Sequence, residues 1–470
     1  METISKADGA ETSISKEKIG EEDPAAAEGC DVESVGIKPE ELLDTPSASP
    51  TGQVDKLILN WRSVRVPVIP PLPVPFVRVA GNFEVGVMPQ VKNPKLLTDV
   101  LPKFRAVHFS ADHSGCGFWR FGMIETYANY NDKASISNIN LMINAPDFWL
   151  SNFAAVRLQR QSTPSQSAYF HMLRRFFDIN KLKTKMIYEV DDIIIGEKIP
   201  EFNRARGAFD KPEIRKACKE IMDLCDEFTV VSPYMKTVYS EFTSNKNITV
   251  VPNLATKGWF DGFYDRDKRV KNYEKNKRRP RILLSGGGTH YDMGNINRYA
   301  KNDYSHVLDT IISTRKDFKY VWLGTHPITL KPFIDNGEME FHPWVSLLDF
   351  PKALDSLGCQ VSMAALEYND FNRAKSSIKL QEACYLGIPF VGQDIEPYED
   401  AFHKFVNGDE CIDVIKDICK DEETYMADVE KHRNAADRYW MENNWGAVSQ
   451  VYTTKYGDPI RKTGLDRWNC

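Results

Sequence analysis

The sequence predicts an α/β protein made of two doubly wound domains, and three observations carry that prediction. At 470 residues the chain is long enough for two such domains plus extra segments. From Phe104 to Ala255, short apolar runs alternate with amphipathic stretches, the pattern of a parallel sheet covered on both faces. After a charged interruption the alternation restarts at Arg281, and in each half the opening strand runs into glycines: SGCG at 114–117 and GGG at 286–288.

The termini read differently. Residues 1–52 are rich in Glu, Ala, Ser, Asp and Pro and almost free of aromatics, so they bury too little to offset the entropy of ordering and are expected to form a disordered acidic tail. Residues 53–103 alternate prolines with Val, Ile and Leu. Such a segment favours extended conformations and is expected to lie across the folded body. Residues 1–55 hold 14 acidic against 4 basic residues, so the formal charge of −6 conceals a slightly basic remainder. That remainder is compatible with an anionic substrate without requiring one. The nine cysteines are scattered with no C-x-x-C, which suits a reducing compartment better than a disulfide framework or a zinc site. The first residues lack the apolar core of a signal peptide and no window reaches the length of a membrane span, so the expectation is a soluble, cytoplasmic protein. Oligomeric state is not legible.

The first domain is placed at 104–260. AVHFSA is its first strand, SGCG a turn, and FWRFGMIETYANYN its first helix. Gly115 and Gly117 would allow close backbone approach to a ligand, although the run lacks G-x-G-x-x-G spacing. Further strands are expected at 136–143, 155–159, 186–190, 228–231 and 248–251, with helices at 165–177, 212–225 and 233–242. YEVDD sets Asp191 and Asp192 just past a strand's carboxyl end, the usual address of a functional group in an open sheet; a helix cap plus a solvated Asp is the plainer reading. Arg157 and Arg160 lie at another strand end, and His171 reads as packed or solvated.

Residues 261–281 form a linker in which nine of the last sixteen residues are Lys or Arg. Nucleic-acid phosphates would match it, and a solvated connector explains it as well. The second domain is placed at 282–429. Its elements include strands RILLS, KYVWLG, EFHPWV and CQVSMAAL and helices near 304–315 and 350–357. Residues 430–470 supply a terminal helix.

Residues 366–400, LEYNDFNRAKSSIKLQEACYLGIPFVGQDIEPYED, concentrate the chemistry. A helix from about Ala374 to Leu386 would put Lys375, Lys379 and Glu382 at i, i+4 and i+7, one polar stripe, with Leu380, Ala383 and Cys384 facing away. Gly387 would cap it, Pro389 would stop it, and Ile388–Val391 would be a buried strand. Two ammonium groups beside a helix start suit a diphosphate, because free N–H groups and the helix dipole also favour negative charge there. A carboxylate one turn on suits ribose hydroxyls. A surface helix with charges at these spacings is the plainer alternative.

The run Phe371, Asn372, Ala374, Lys375, Ser376, Lys379 and Glu382, followed by Gly387-Ile388-Pro389 and Pro397-Tyr398, resembles the donor signature of retaining glycosyltransferases of the GT-B fold. It is most similar to the branch whose motif reads FN-x-AKS-x-x-K-x-x-E. The resemblance covers most of 104–455 and extends to the E-x-DD around Asp191 and Asp192, to VVPNLA at 250–255 and to SGGGTHYD at 285–292.

It implies two facing Rossmann-like domains with a cleft, an N-terminal acceptor domain and a C-terminal donor domain. The terminal helix would cross back at 430–455. It also implies transfer of a hexose or pentose from a nucleoside diphosphate, UDP by default, to an acceptor hydroxyl. Lys375 and Lys379, with Asp191 and Asp192, are the expected catalytic residues. Glu382 would hold the ribose. Asp370, Phe371 and Asn372 would position the sugar, and Gly286, Gly287, Gly288, Thr289 and Gly117 would line the donor. No metal or further cofactor is required on this account. Many relatives carry a Glu-x7-Glu pair, and Ala374 stands where the first Glu would be, which leaves the donor sugar open. The acceptor is open too: a hydroxymethylated DNA base, as in phage DNA-modifying enzymes, a polysaccharide, a lipid-linked sugar or a protein. A non-catalytic nucleotide-sugar or nucleic-acid binding protein, or a GT-B-like epimerase, is the alternative on the same scaffold.

Overall fold

Runs of β-branched and aromatic residues that are buried on both sides can only be satisfied in a sheet sandwiched between helices, and this chain builds two of them. The computed structural model describes residues 104–453 apart from 113, 140–141, 144–145, 151–152 and 292–300. The expectations for the acidic tail and the proline-rich segment lie outside the described residues.

The first sheet contains β1 (Arg105–Phe109), β2 (Ser135–Ile139), β3 (Ala155–Gln159), β4 (Lys185–Glu189), β5 (Glu227–Val230) and β6 (Ile248–Val250). They pair in the order β2-β1-β3-β4-β5-β6, all parallel. The second holds β7 (Arg281–Gly286), β8 (Lys319–Gly324), β9 (Glu340–His342), β10 (Val361–Ala364), β11 (Phe390–Gln393) and β12 (His403–Phe405). Their order is β12-β11-β10-β7-β8-β9, again parallel. Each order reverses direction once, at β1/β3 and at β7/β10. Open parallel sheets bind ligands in the crevice at the carboxyl ends of strands flanking such a reversal.

Local chemistry sets the helix starts. The first-sheet helices are α1 (Met123–Tyr130), α2 (Pro164–Ile179), α3 (Pro212–Leu224) and α4 (Pro233–Phe242). Thr163 and Gln166 form a capping box ahead of α2, and Ser232 accepts from the Met235 N–H ahead of α4. The expected SGCG turn is not a turn. Gly115–Gly117 is already helical and passes through a π-helical segment, Phe118–Gly122, into α1. The buried Trp119, Arg120 and Phe121 face inward from that segment.

Arg120 anchors a buried charge cluster under the sheet. Its Nε donates to Glu189 Oε1 at 2.6 Å and its Nη1 to the Val251 carbonyl at 2.7 Å. Glu189 also binds Arg157 and the Thr229 hydroxyl, all inaccessible to solvent. Burial alone would favour a neutral Glu189, but the two guanidiniums hold its pKa below the ordinary 4.5.

The basic stretch after the first domain is structured. Arg266–Asn276 is α5, begun by Asp265 accepting from the Lys268 N–H, with Arg269 and Tyr273 buried. Lys268 and Arg269 both bind Asp355, Arg266 binds Glu430, Arg281 binds Glu340, Lys277 binds Glu274, and Arg279 donates to two carbonyls. The connector is thus largely structured, and six of the nine basic residues at 266–281 hold partners within the fold.

The remaining helices used below are α6 (Ile378–Leu386), α7 (Gly408–Ile418), α8 (Glu422–Ala435) and α9 (Met441–Thr453). The chain crosses between sheets twice, and the crossings are paired: Met441 N–H donates to the Ala255 carbonyl at 2.8 Å and Ala255 N–H to that of Tyr439 at 3.3 Å. Beyond this, α9 packs on the first domain. Trp445 stacks on Phe104, Tyr452 hydroxyl meets His108 Nε2 at 2.9 Å and Arg157 Nη1 at 3.0 Å, and Lys185 Nζ donates to the Val451 carbonyl at 2.8 Å.

Candidate functional site between the sheets

The segment 366–377 leaves β10 and bridges the domains. Asn369 caps a short helix, Asp370–Arg373, by accepting from the Asn372 N–H. Phe371 and Ala374 are buried among first-domain residues. Asp370 takes Lys198 Nζ at 2.7 Å and the Tyr234 hydroxyl at 2.6 Å, and the Ala374 carbonyl accepts from Ser232 Oγ at 2.8 Å. Ser376 Oγ accepts from Asn253 Nδ2 at 2.9 Å. A loop pinned at so many points holds Lys375, between Ala374 and Ser376, in a fixed place. Its Nζ lies 4.7 Å over the Phe371 ring.

The single helix expected from Ala374 to Leu386 is corrected to two. Ala374 ends Asp370–Arg373 and α6 starts at Ile378, so Lys375 stands on the connecting loop and only Lys379 and Glu382 share a helix. Nor is α6 amphipathic, since Leu380–Leu386 are all buried. Gly387, at φ 61°, ends it in the left-handed conformation that glycine adopts freely. The strand after it starts at Phe390, two residues later than expected, and the 304–315 helix shortens to Leu308–Ser313.

Lys379 Nζ donates to the Ser285 carbonyl at the end of β7. A Cβ on Gly286 would lie 3.6 Å from that nitrogen and 3.4 Å from His290 Cδ2, so the bare glycine lets amine and imidazole converge over it. Gly287, Gly288 and Thr289 follow at the carboxyl end of β7, Gly288–His290 forming a turn of 3-10 helix, and are partly exposed. His290 Nδ1 lies 2.6 Å from Asp303 Oδ2. The other oxygen of Asp303 accepts from Asn372 Nδ2 at 2.5 Å.

Burial drives the electrostatics. It pulls Lys379 down to about 8, and lifts Glu382, one turn away, up to about 8. Burial and the Lys375 charge draw His290 down to about 4. Asp303 stays below its ordinary value despite burial because His290, Lys375 and Asn372 favour its carboxylate.

The first domain contributes the opposite wall. Asp191 and Asp192 follow β4. Asp191 Oδ1 lies 3.3 Å from Arg160 Nε, and Asp192 is raised by burial while Lys375 opposes the rise. Cys116 Sγ and the two carboxylates lie within 4.8 Å of one another, a donor set that could hold a metal ion, and Arg160 brings a guanidinium into the same cluster. Gly117 is bare for its own loop, not for a ligand: a Cβ there would overlap the Asp112 carbonyl oxygen. Arg157 is buried in the Glu189 cluster and His171 is exposed. Beside the cluster, Ser110, Arg160, Gln161, Ser162, Thr163 and Gln166 line a recess of about 290 Å³ at the β1/β3 reversal.

The structure thus sets Lys375 within electrostatic reach of Lys379, Asp303 and Asp192, with Gly286 beside the Lys379 amine and Asn372 on Asp303, and leaves Gly117 against Asp112. Sequence reading passed over His290, although it stands directly after the glycine turn, and Asp303, thirteen residues further on, for which no local pattern speaks.

Two parallel sheets joined this way form the GT-B fold, and solved structures share it. A glycosyltransferase from Rickettsia africae ESF-5 aligns over 76% of this chain and 100% of its own at 15% identity, TM-score 0.51. Anabaena Alr3699/HepE, in complex with UDP and glucose, aligns over 74% and 98% at 8% identity, TM-score 0.48. A trehalose-6-phosphate structure from E. coli bound with UDP-2-fluoro glucose aligns over 74% and 99% at 10% identity, TM-score 0.44. No protein-family description and no curated protein matches the chain. No helix among the described residues is long and apolar enough to cross a membrane.

Proposed function

We propose that the protein is a retaining glycosyltransferase that moves a sugar from a nucleoside diphosphate to an acceptor hydroxyl. The convergence of Lys375 and Lys379 on the carboxyl end of β7, at the sheet's reversal, is the observation that carries this reading. In the reaction the bond from the anomeric carbon to the β-phosphate oxygen breaks and its electron pair stays on the diphosphate. The acceptor oxygen bonds to that carbon and its proton leaves with the diphosphate. The charge that builds on the leaving group is the largest cost, and fixed cations in a partly dry crevice offset it.

Glu382 serves the ribose, and Trp344, half-exposed and packed over Gly324 at the neighbouring end of β8, offers a face on which the base stacks. The proposed reaction uses no metal, because Lys375 and Lys379 supply the positive charge at the diphosphate. The first domain receives the acceptor. The hydroxyl- and amide-lined recess at β1/β3 favours a hydroxyl-rich acceptor over DNA, for which α5 leaves few free charges.

The test is incubation with a panel of nucleotide sugars and assay of free nucleoside diphosphate, with mass spectrometry of candidate acceptors. Release with one donor and a mass gain on one acceptor is expected. Saturable binding without turnover for every donor would instead mean a binding protein. UDP-sugars are the first to test, UDP being bound in the HepE structure.

Acid–base behaviour gives a second check. Lys379 grips phosphate only as an ammonium, so its contribution to UDP affinity should be full well below pH 8 and be lost as pH rises through about 8. Lys379→Arg keeps its charge and should flatten that limb. An unchanged wild-type affinity from pH 7 to 9.5 contradicts the role.

A further inference from the structure

His290 stands beside Lys379 and Gly286, where the phosphate of the proposed donor would lie. Its ring is fixed from one side: Nδ1 lies 2.6 Å from Asp303 Oδ2, and Asp303 is itself buried and tied to Asn372 Nδ2 at 2.5 Å. Because Asp303 is held as a carboxylate, Nδ1 carries the proton and donates. Nε2 has no hydrogen-bond partner among the described residues. The ring edge, the Lys379 amine and the Tyr291 hydroxyl share the bare face of Gly286, at 3.4, 3.6 and 3.1 Å from where a Cβ would stand. A buried carboxylate that orients an imidazole and leaves its second nitrogen facing a cationic crevice is an arrangement for contacting an anion.

We propose that His290, oriented by Asp303, contacts the diphosphate directly, donating from Nε2 to a phosphate oxygen beside Lys379. This rests on the donor-site reading above and deepens it. The groups facing His290 are Asp303, Lys375 and Lys379, with Tyr291 next in the chain. Without ligand the two lysines and burial keep the ring neutral. An incoming diphosphate reverses the local sign of charge, so the ring takes up a proton and Asp303 stabilises the imidazolium. As the sugar departs, charge accumulates on the oxygen that Nε2–H holds.

The test uses the full chain, UDP as the probe, and calorimetric titration at pH 6.5 in two buffers of different ionisation enthalpy. At that pH Lys379 is already charged, and protons exchanged by the nucleotide itself are common to wild type and variant. Wild type should take up at least half a proton more per UDP than His290→Gln, which should bind UDP about tenfold to a hundredfold more weakly. Asp303→Asn should lose most of the extra uptake while keeping the ring. Equal uptake and UDP affinities within twofold for wild type and His290→Gln overturn the role of His290 and leave the donor site standing. A wild type that binds no UDP removes the donor site and this contact together. A circular-dichroism melt of each variant separates loss of fold from loss of contact: weakened binding and lost uptake in variants that melt with wild type support the contact, and a normal melt with unchanged binding overturns it.

Discussion

Lys379→Ala is expected to retain the fold and lose most turnover, and Lys375→Ala to do the same. Each charge-assisted contact to a phosphate is worth roughly 1.5 to 3 kcal/mol, about one to two decades in rate if it is made mainly in the transition state. Lys379 should show the larger loss. It is partly buried, with its amine pointing at the end of β7, whereas Lys375 sits on a loop whose neighbours Ala374 and Ser376 are tied to the first domain. Losing the Lys375 side chain leaves those ties in place. Unfolding of either variant should therefore track wild type while nucleoside diphosphate release collapses. Full activity in either removes that lysine from the phosphate site.

Glu189→Ala should do the reverse, destabilising the first domain before any effect on chemistry is visible. It strands two fully buried guanidiniums, Arg120 and Arg157, whose one carboxylate partner among the described residues is Glu189. Breaking one side of a buried ion pair typically costs about 3 to 5 kcal/mol, because the remaining charge stays desolvated. The urea midpoint is the measurement, and a shift worth under about 1 kcal/mol would mean that water reaches the arginines. The same cluster sets an acid limit. Since the folded-state pKa of Glu189 lies below its ordinary 4.5, its contribution is complete above that value and disappears as pH falls through the folded one.

The two doubly wound sheets were legible because their strands are short, apolar and regularly spaced. β3, β8 and α4 coincide with their predicted bounds. What misled was local polarity. Lys375, Lys379 and Glu382 fit one helical stripe by spacing, yet Asn369 starts a separate short helix and Phe371 is drawn into the first domain's core, and neither tertiary pull is visible in periodicity. SGCG was misread for a similar reason: Gly117 is needed against Asp112, within a helix, where glycine usually signals a turn. The run of basic residues in α5 likewise reads as solvated until Asp355, some ninety residues on, is brought beside Lys268 and Arg269. Lys379 and Glu382 were found by motif, but their mutual burial, which shifts both toward 8, belongs to packing around α6. His290 and Asp303 stand thirteen residues apart and meet only in the folded chain.

The central claim is a diphosphate grip in the crevice between the sheets, and comparing UDP with uridine by calorimetry at pH 7 tests it most directly. The account predicts that UDP binds at least a hundredfold more tightly than uridine in wild type, and that Lys375→Ala and Lys379→Ala each remove most of that difference while leaving uridine binding unchanged. Equal affinity for the two ligands, or a UDP preference that survives loss of both lysines, would contradict it.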